Sequence, residues 1–216
     1  MRSMQIMDRE HSIIQPRSLK AREEQRRRSV ERAEVFTPSW ICNKQNNLVD
    51  VAWFHRKGKS SPFNREIDRV DGTHSWITSR ENIQFPHGLK WFDYVTANRL
   101  EVSCGEAPCL TSRYDTVTGK YIEPYDRIGL LDRKLRIVTE NFPHDPEAWF
   151  FMAKRAVRSC YGFEWQGDNV FLARENILAR ASRSTTTCSG TRRCASARHR
   201  PPLRSFVAAV KIIRNV

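Results

Sequence analysis

The residues with the clearest chemical potential lie between Leu100 and Leu110, in the segment Leu-Glu-Val-Ser-Cys-Gly-Glu-Ala-Pro-Cys-Leu. The pattern predicts a strand that ends in the acidic residue Glu101, then a tight turn at Cys104 and Gly105. Open α/β sheets bind ligands at the carboxyl ends of their strands, where a glycine lets the backbone approach the ligand without a Cβ in the way. The segment therefore predicts the start of a nucleotide-type cofactor pocket.

A second acidic residue, Glu164, ends the short apolar run that begins at Tyr161. In doubly wound folds an acid at the end of the second strand, about 20 or more residues after the glycine turn, binds ribose hydroxyls. Glu164 lies much further along, so residues 111–160 must form an insertion that folds out of the way. Taken singly, Gly105 is a plain turn glycine and Glu164 a surface carboxylate, but together and in this order they favour a ligand.

A third segment, Glu34 to Pro38, leads from a loop into a helical pattern that continues to Asp50. Thr37 suits the N-cap of that helix and Pro38 its first position. Exposed amides at a helix start bind anions, so this end could receive a carboxylate.

The elements around these segments follow from their spacing. Residues 17–33 predict a solvated helical arm, because Glu23 and Arg27, and Glu24 and Arg28, stand four residues apart. An ordinary charged surface helix is the favoured interpretation, since acids are interleaved. The alternative is a phosphate-contacting face formed by Arg26, Arg27, Arg28 and Arg32.

The rest of the chain predicts an α/β arrangement. Residues 54–98 are predicted as a loop-rich insertion, and residues 111–127 as a hairpin around Thr118 and Gly119. Residues 128–141 predict a helix, and Asp145 as cap with Pro146 at the first position predict another that reaches Cys160. A short strand, a turn and a further helix follow, which favours a parallel sheet unit.

Composition limits the class of protein. A chain of 216 residues suffices for one main domain, and its net charge of +13 indicates nucleic acid or another anionic partner. More than half of that surplus lies in residues 182–216, a Ser/Thr/Arg-rich tail without acids that we expect to be disordered up to Phe206 to Ile213. The cysteines form no Cys-x-x-Cys pair, which argues against a structural zinc site. The sequence has no signal-peptide pattern or membrane-length apolar run, so we expect a cytoplasmic protein with free thiols and no membrane association.

These motifs together resemble a known family. Glu34 to Pro38 is similar to the Phe/Tyr-Thr-Pro segment that opens many adenine-N6 DNA methyltransferases, and Leu100 to Leu110 to their first cofactor motif, Leu-Asp/Glu-Pro-Ala-Cys-Gly-x-Gly-x-Phe-Leu. Gly162 to Glu164 resembles the second motif, in the expected order. More specifically, four stretches within residues 20–180 resemble the methylase subunits of bacterial restriction-modification systems: Glu34 to Asp50, Arg99 to Tyr114, Arg127 to Asn141 and Tyr161 to Leu178.

The resemblance implies a partial Rossmann-like methyltransferase fold that binds S-adenosyl-L-methionine. Thr37 and Pro38, with the adjoining Phe36, would lie beside the methionine carboxylate, and Glu164 would take the ribose hydroxyls. The methionine and ribose side of the pocket would be lined by Glu101, Cys104 and Gly105. Two positions depart from the family pattern: Val102 stands where Pro is frequent, and Ala107 replaces the second glycine.

The larger departure concerns the base that is modified. Family members flip the target adenine out of the duplex and hold its amino group with an Asn/Asp/Ser-Pro-Pro-aromatic motif. The sequence contains no such motif, and Arg200 to Leu203 echoes it only superficially, because an arginine would repel positive charge on the attacking amine. We therefore assign no catalytic residue. One hypothesis is that a reading-frame change near Leu178 replaced the catalytic half with an unrelated tail.

The resulting organisation has three parts: a charged helical arm at 1–33, a partial cofactor-binding domain at 34–181 with insertions at 54–98 and 111–160, and the basic tail at 182–216. The expected partners are double-stranded DNA and other restriction-modification subunits. Two alternatives stay open: a basic DNA-binding or specificity module without cofactor, and a nuclease component of the same system. The nuclease would need carboxylates and a lysine around Mg²⁺. The candidates for that role, which a solvated helix face explains better, are Asp126, Asp132, Lys134 and Glu140.

Overall fold

The computed structural model of the chain describes residues 16–56, 59–187 and 209–214. Its central element is a sheet of three adjacent parallel strands: β3 (Arg99–Val102), β4 (Cys160–Glu164) and β5 (Lys211–Arg214). The strands lie in chain order, with Glu101 paired to Gly162 and Gly162 paired to Ile212. The predicted parallel unit is therefore confirmed, and the chain is a mixed α/β protein with two small sheets.

Two helices lie between β3 and β4, and both were predicted. Helix α4 spans Leu130–Asn141 and helix α5 spans Pro146–Arg158. Asp145 caps α5 by accepting hydrogen bonds from the amides of Glu147 (3.1 Å) and Ala148 (2.9 Å), and Pro146 needs no such bond. The buried faces of both helices join one hydrophobic core with Cys160 and Ile212 of the sheet.

Helix α6 (Gly167–Thr187) follows β4 directly. It packs against α5, β4 and β5, on the same side of the sheet as the other two helices. On the opposite side, Leu100 is 55% exposed and Val102 is 67% exposed within the described part of the chain. All-parallel sheets are normally covered on both faces, whereas the described residues cover only one face of this sheet.

The region 54–98 is more regular than predicted. It holds an antiparallel hairpin, β1 (Asn64–Asp68) and β2 (His74–Thr78), followed by the short helix α3 (Trp91–Thr96). Most of the region lies outside these elements, so it is loop-rich as predicted, but the hairpin was not predicted. Side-chain hydrogen bonds to distant residues hold the hairpin in place. The buried Asn64 bonds to Asn43, and the indole of Trp76 donates to the carbonyl oxygen of Asp126 at 2.9 Å.

The N-terminal arm contains a 3₁₀ turn (Arg17–Leu19) and helix α1 (Arg22–Arg32), as predicted. Arg28 does not point to solvent, however. It is buried, forms an ion pair with Glu34, and lies 2.6 Å from a carboxylate oxygen of Asp168. The hydrogen bond to Glu34 and the charge of Asp168 outweigh burial and raise the pKa of Arg28. Arg28 thus links α1 to Glu34 and Asp168 and is not part of a phosphate-contacting face.

Three predicted boundaries need correction. Helix α2 (Ser39–Trp53) begins one residue later than predicted, so Pro38 and not Thr37 stands at its N-cap. The predicted hairpin at 111–127 contains a single bridge, between Tyr114 and Tyr121. The predicted disordered tail is wrong at its start, since residues 182–187 continue α6. Strand β5 (Lys211–Arg214) overlaps the Phe206 to Ile213 segment, at which the predicted disorder ends. The middle of that tail, residues 188–208, lies outside the described residues, as does the Arg200 to Leu203 segment.

Candidate functional site

The turn after β3 and the end of β4 are joined by one carboxylate. The amide of Cys104 donates to the carbonyl oxygen of Phe163 at 2.9 Å, which extends the sheet pairing by one position. The next amide, that of Gly105, donates to Oε2 of Glu164 at 2.7 Å, and Oε1 of Glu164 accepts the amide of Gln166 at 2.9 Å. Glu164 is buried. The two predicted residues Gly105 and Glu164 are therefore in direct contact.

The ring of Phe36 lies over Gly105. A Cβ placed on Gly105 would come within 2.9 Å of the Phe36 ring, and the φ angle of Gly105 is +53°, a conformation that favours glycine. The guanidinium of Arg17 lies 5.6 Å from the centre of the same ring. Phe36, Gly105 and Glu164, which are far apart in sequence, thus form one cluster at the carboxyl ends of the parallel strands.

At the start of α2, a backbone amide already binds a carboxylate of the chain itself, that of Asp115. The amide of Ser39 donates to Oδ2 of Asp115 at 2.7 Å, and the hydroxyl of Thr116 donates to the carbonyl oxygen of Thr37 at 3.0 Å. Burial would raise the pKa of Asp115, but the hydrogen bonds from Ser39 and Thr118 outweigh it and lower that pKa. The hydrogen bonds of Asp115 and Thr116 therefore hold the Thr37 and Pro38 segment in position beside the cluster.

Sequence reasoning missed Asp115, although a local signal was present. Asp115 also accepts the amides of Val117 (3.1 Å) and Thr118 (2.7 Å), which is an Asx turn that leads into Gly119. The pattern Asp-x-x-Thr-Gly predicts that turn. Its reach to Ser39 depends on tertiary structure and has no local signal.

Glu101 and Cys104 face other partners than the cluster. The carboxylate of Glu101 accepts the amides of Cys109 (3.2 Å) and Leu110 (3.1 Å), and burial raises its pKa well above the ordinary value. The Sγ atom of Cys104 would lie 2.9 Å from a Cβ placed on Gly162, and burial raises the pKa of this thiol as well. Glu101 and Cys104 are therefore structural residues: Glu101 binds amides of the loop after β3, and Cys104 packs against β4.

A cleft of about 860 Å³ opens next to Glu164, between the end of α1 and the start of α6. Its wall includes Trp165, which is 62% exposed, and Asp168, which Lys20 holds at 3.1 Å. Burial opposes ionisation of Asp168, but Lys20 and Arg28 lower its pKa. The cleft thus offers one aromatic surface, Trp165, beside a mostly polar lining, whereas small-molecule sites are usually mostly apolar. It is lined by Val30, Glu31, Arg32, Ala33, Trp165, Gln166, Gly167 and Asp168.

The residues proposed for a nuclease site do not converge. Asp132 accepts from Arg180, and Glu140 accepts from Arg136 at 2.7 Å. Lys134 is fully buried and donates to the carbonyl oxygen of Ala97, whereas Asp126 pairs with Arg80 at the surface. Within the described residues, no group of three His, Cys, Asp or Glu side chains could hold a metal ion. The described part of the chain therefore gives the nuclease alternative no site.

Comparisons of the chain with protein-family models, with curated proteins and with solved structures gave no match. Among the described residues, no helix has the length and apolar character needed to cross a membrane. Functional inference therefore rests on the geometry of the cluster and of the neighbouring cleft, whose lining does not include Phe36, Gly105 or Glu164.

Proposed function

We propose that this chain is the S-adenosyl-L-methionine-binding part of a site-specific adenine-N6 DNA methyltransferase of a restriction-modification system, and that it is catalytically incomplete alone. One observation carries the proposal. Phe36, Gly105 and Glu164, which the family resemblance assigns to a single cofactor, meet at the carboxyl ends of adjacent parallel strands. Ligands of open α/β sheets bind at this end of the strands.

The topology of the sheet supports the same proposal. Strands that follow each other in order, with their helices on one face, make up one half of a doubly wound Rossmann-like sheet. In such a fold the second half covers the other face. Leu100 and Val102, which are exposed in the described part of the chain, lie on that face, where the second half of such a fold would pack.

The cleft beside Glu164 fits the size of the proposed cofactor. Small-molecule sites usually measure about 300–1,000 Å³, and this cleft measures about 860 Å³. Each carboxylate oxygen of Glu164 already accepts one amide and can accept one more hydrogen bond, as two ribose hydroxyls would require. Phe36 covers Gly105, so close approach of a cofactor to this backbone requires the ring to turn aside.

When bound, the cofactor would supply the methyl group. The residues of this chain would position it: Glu164 would fix the sugar, and the turn at Gly105 would give the backbone approach. The sequence lacks the tetrapeptide that holds the target adenine, so the proposal assigns none of its residues to methyl transfer. Double-stranded DNA is the proposed partner, in agreement with the net charge of +13.

Titration calorimetry with S-adenosyl-L-methionine tests the proposal. The wild-type chain should bind, and Glu164→Gln should weaken binding about tenfold or more, because a charged acceptor for two hydroxyls becomes a neutral amide. Glu123→Gln is the matched control, since Glu123 is exposed in the loop before α4. Circular dichroism would confirm that both variants fold. No heat with the wild type, or equal affinity of the Glu164 variant, would exclude the proposed pocket.

A further inference from the structure

A second cleft lies far along the chain from the cofactor cluster, between the end of α2, the β1–β2 hairpin and the loop that follows β2. Its volume is about 350 Å³, enough for a phosphate and a sugar but small for a whole nucleotide cofactor. We propose that this cleft binds a phosphate group of a nucleic-acid backbone, with Arg56 and Arg65 as its main contacts. It is lined by Arg56, Ser60, Ser61, Pro62, Asn64, Arg65, Ile77, Thr78, Ser79, Glu81, Asn82, Ile83 and Gln84.

Arg56 has a buried donor without an acceptor. Its Nε atom is buried and forms no hydrogen bond with any described residue. Leaving a charged donor unsatisfied away from water costs more than leaving a neutral one, so this nitrogen needs an acceptor, which an ordered water, an ion or a ligand can supply. A phosphate oxygen is the acceptor that a guanidinium binds best, because its parallel N–H groups match two phosphate oxygens.

The charged side chains that line the cleft are mostly basic. Arg65 is exposed on β1 and forms no ion pair with a carboxylate among the described residues. Ser60 is exposed at the rim with a hydroxyl that can donate. Glu81 is the one carboxylate of the lining, so two arginines face a single acid. The net charge of the cleft is therefore positive.

The first cleft differs in charge. Its lining holds one arginine, Arg32, and two acids, Glu31 and Asp168, so the lining side chains carry no surplus of positive charge. A polyanion is thus expected at the second cleft and not at the proposed cofactor site. The two proposals use separate residues, and neither depends on the other.

A nucleic-acid backbone fits better than free phosphate because the cations continue beyond one phosphate. Arg69 follows β1 at the hairpin turn, four residues after Arg65. At about 3.3 Å per residue, the two backbone positions lie roughly 13 Å apart, further than one phosphate can bridge. The two arginines can therefore neutralise two different phosphates of one nucleic-acid backbone.

Fluorescence anisotropy with a labelled 20-base-pair duplex, measured over a series of NaCl concentrations, tests the proposal. The double variant Arg56→Gln/Arg65→Gln should bind about tenfold or more weakly at 100 mM salt, and the slope of log K against log salt should fall by about 2, since each lost phosphate contact removes about 0.9. Lys120→Gln/Arg158→Gln is the matched control: it removes the same charge from two exposed side chains elsewhere, and its slope should change by less than half as much.

Further measurements separate the possible results. Arg65→Gln alone changes an exposed side chain, so this variant should fold and should lower the slope of log K against log salt by about 1.

Inorganic phosphate, compared with chloride at equal ionic strength, shows whether a free anion suffices. A rise in melting temperature with phosphate, without duplex binding, would overturn the nucleic-acid assignment. Equal losses in the cleft and control variants, or no duplex binding by the wild type, would overturn the proposal. Calorimetry of the cleft variant with S-adenosyl-L-methionine should give wild-type affinity, which keeps a failure here distinct from a failure of the cofactor site.

Discussion

The carboxylate of Glu164, at the end of β4, accepts the backbone amide of Gly105, in the turn after β3, over 2.7 Å. The bond crosses 59 positions of sequence and joins the carboxyl ends of two neighbouring strands. A glutamate in this place fixes the turn and still has lone pairs to offer a ligand. The same contact can therefore serve both the stability of the turn and the proposed cofactor site.

Replacement of Gly105 by alanine should destabilise the protein in two ways. The φ angle of +53° is strained for alanine, and the new Cβ would lie 2.9 Å from the ring of Phe36. Gly72→Ala is the control, because Gly72 has a similar φ angle of +78° but open space around it. We expect Gly72→Ala to cost about 1–2 kcal/mol and Gly105→Ala about 1 kcal/mol more, measured by urea unfolding. In a Phe36→Ala background the difference between the two should disappear, and an unchanged difference would show that Phe36 is not the cause.

The core helices could be predicted from sequence because their signals are local. The cap Asp145, the following Pro146 and the apolar face of α5 lie within one segment, and the helix begins where they indicate. The hairpin β1–β2 had no such signal. Strand β1 has the sequence Asn-Arg-Glu-Ile-Asp, and the hydrogen bonds of its inward residue Asn64 go to Asn43 and Asn47, 21 and 17 positions away.

The candidate site shows the same division. Gly105 and Glu164 each have a local pattern, a turn glycine after a strand and an acid at the end of a strand, and they are in contact. No local sequence pattern indicates the direction of the Glu101 side chain, because its partners are the amides of Cys109 and Leu110 in the folded loop. Contacts made by backbone amides across a turn are decided by tertiary packing, so sequence spacing does not predict them.

A buried ion pair between Asp50 and Arg133 should be essential for stability. Asp50 is completely buried, pairs with Nη1 of Arg133 and accepts the hydroxyl of Tyr94 at 2.7 Å. Asp50→Asn keeps the volume but leaves the Arg133 charge without its counterion, so we expect a loss of about 3–5 kcal/mol in urea unfolding. The control Asp126→Asn breaks an exposed contact with Arg80 and should cost less than about 1 kcal/mol. A loss below 1 kcal/mol for Asp50→Asn would contradict the structure.

The exposed face of the parallel sheet predicts a substitution without a stability cost. Leu100 and Val102 are more than half exposed, so Leu100→Lys/Val102→Lys should change the free energy of unfolding by less than about 1 kcal/mol. The same double variant should reduce binding of an apolar dye such as ANS, because it removes apolar surface from that face. Val138→Lys, at a fully buried position of α4, should instead cost several kcal/mol. A large loss in the Leu100/Val102 variant would mean that this face is covered in solution.

Lys134 should make stability rise with pH in the alkaline range. Its side chain is fully buried in α4, where it donates to the carbonyl oxygen of Ala97 and to the hydroxyl of Ser159, both at 2.5 Å. Burial lowers its pKa from 10.5 to about 8. Between these two values the unfolded chain keeps the proton and the native chain has released it, so the native state gains stability as pH rises from about 8 to about 10.5.

The size of that gain can be measured with Lys134→Met. A pKa difference of this size corresponds to a gain on the order of 3 kcal/mol at the alkaline end. The variant lacks the titrating group, so the stability of the wild type relative to Lys134→Met should increase from pH 7 to pH 10 in urea unfolding. The exposed Lys120→Met gives the background trend of a lysine replacement and should run parallel to the wild type. If the difference in free energy of unfolding between wild type and Lys134→Met stayed constant from pH 7 to pH 10, the pKa of Lys134 would not be lowered in the native state.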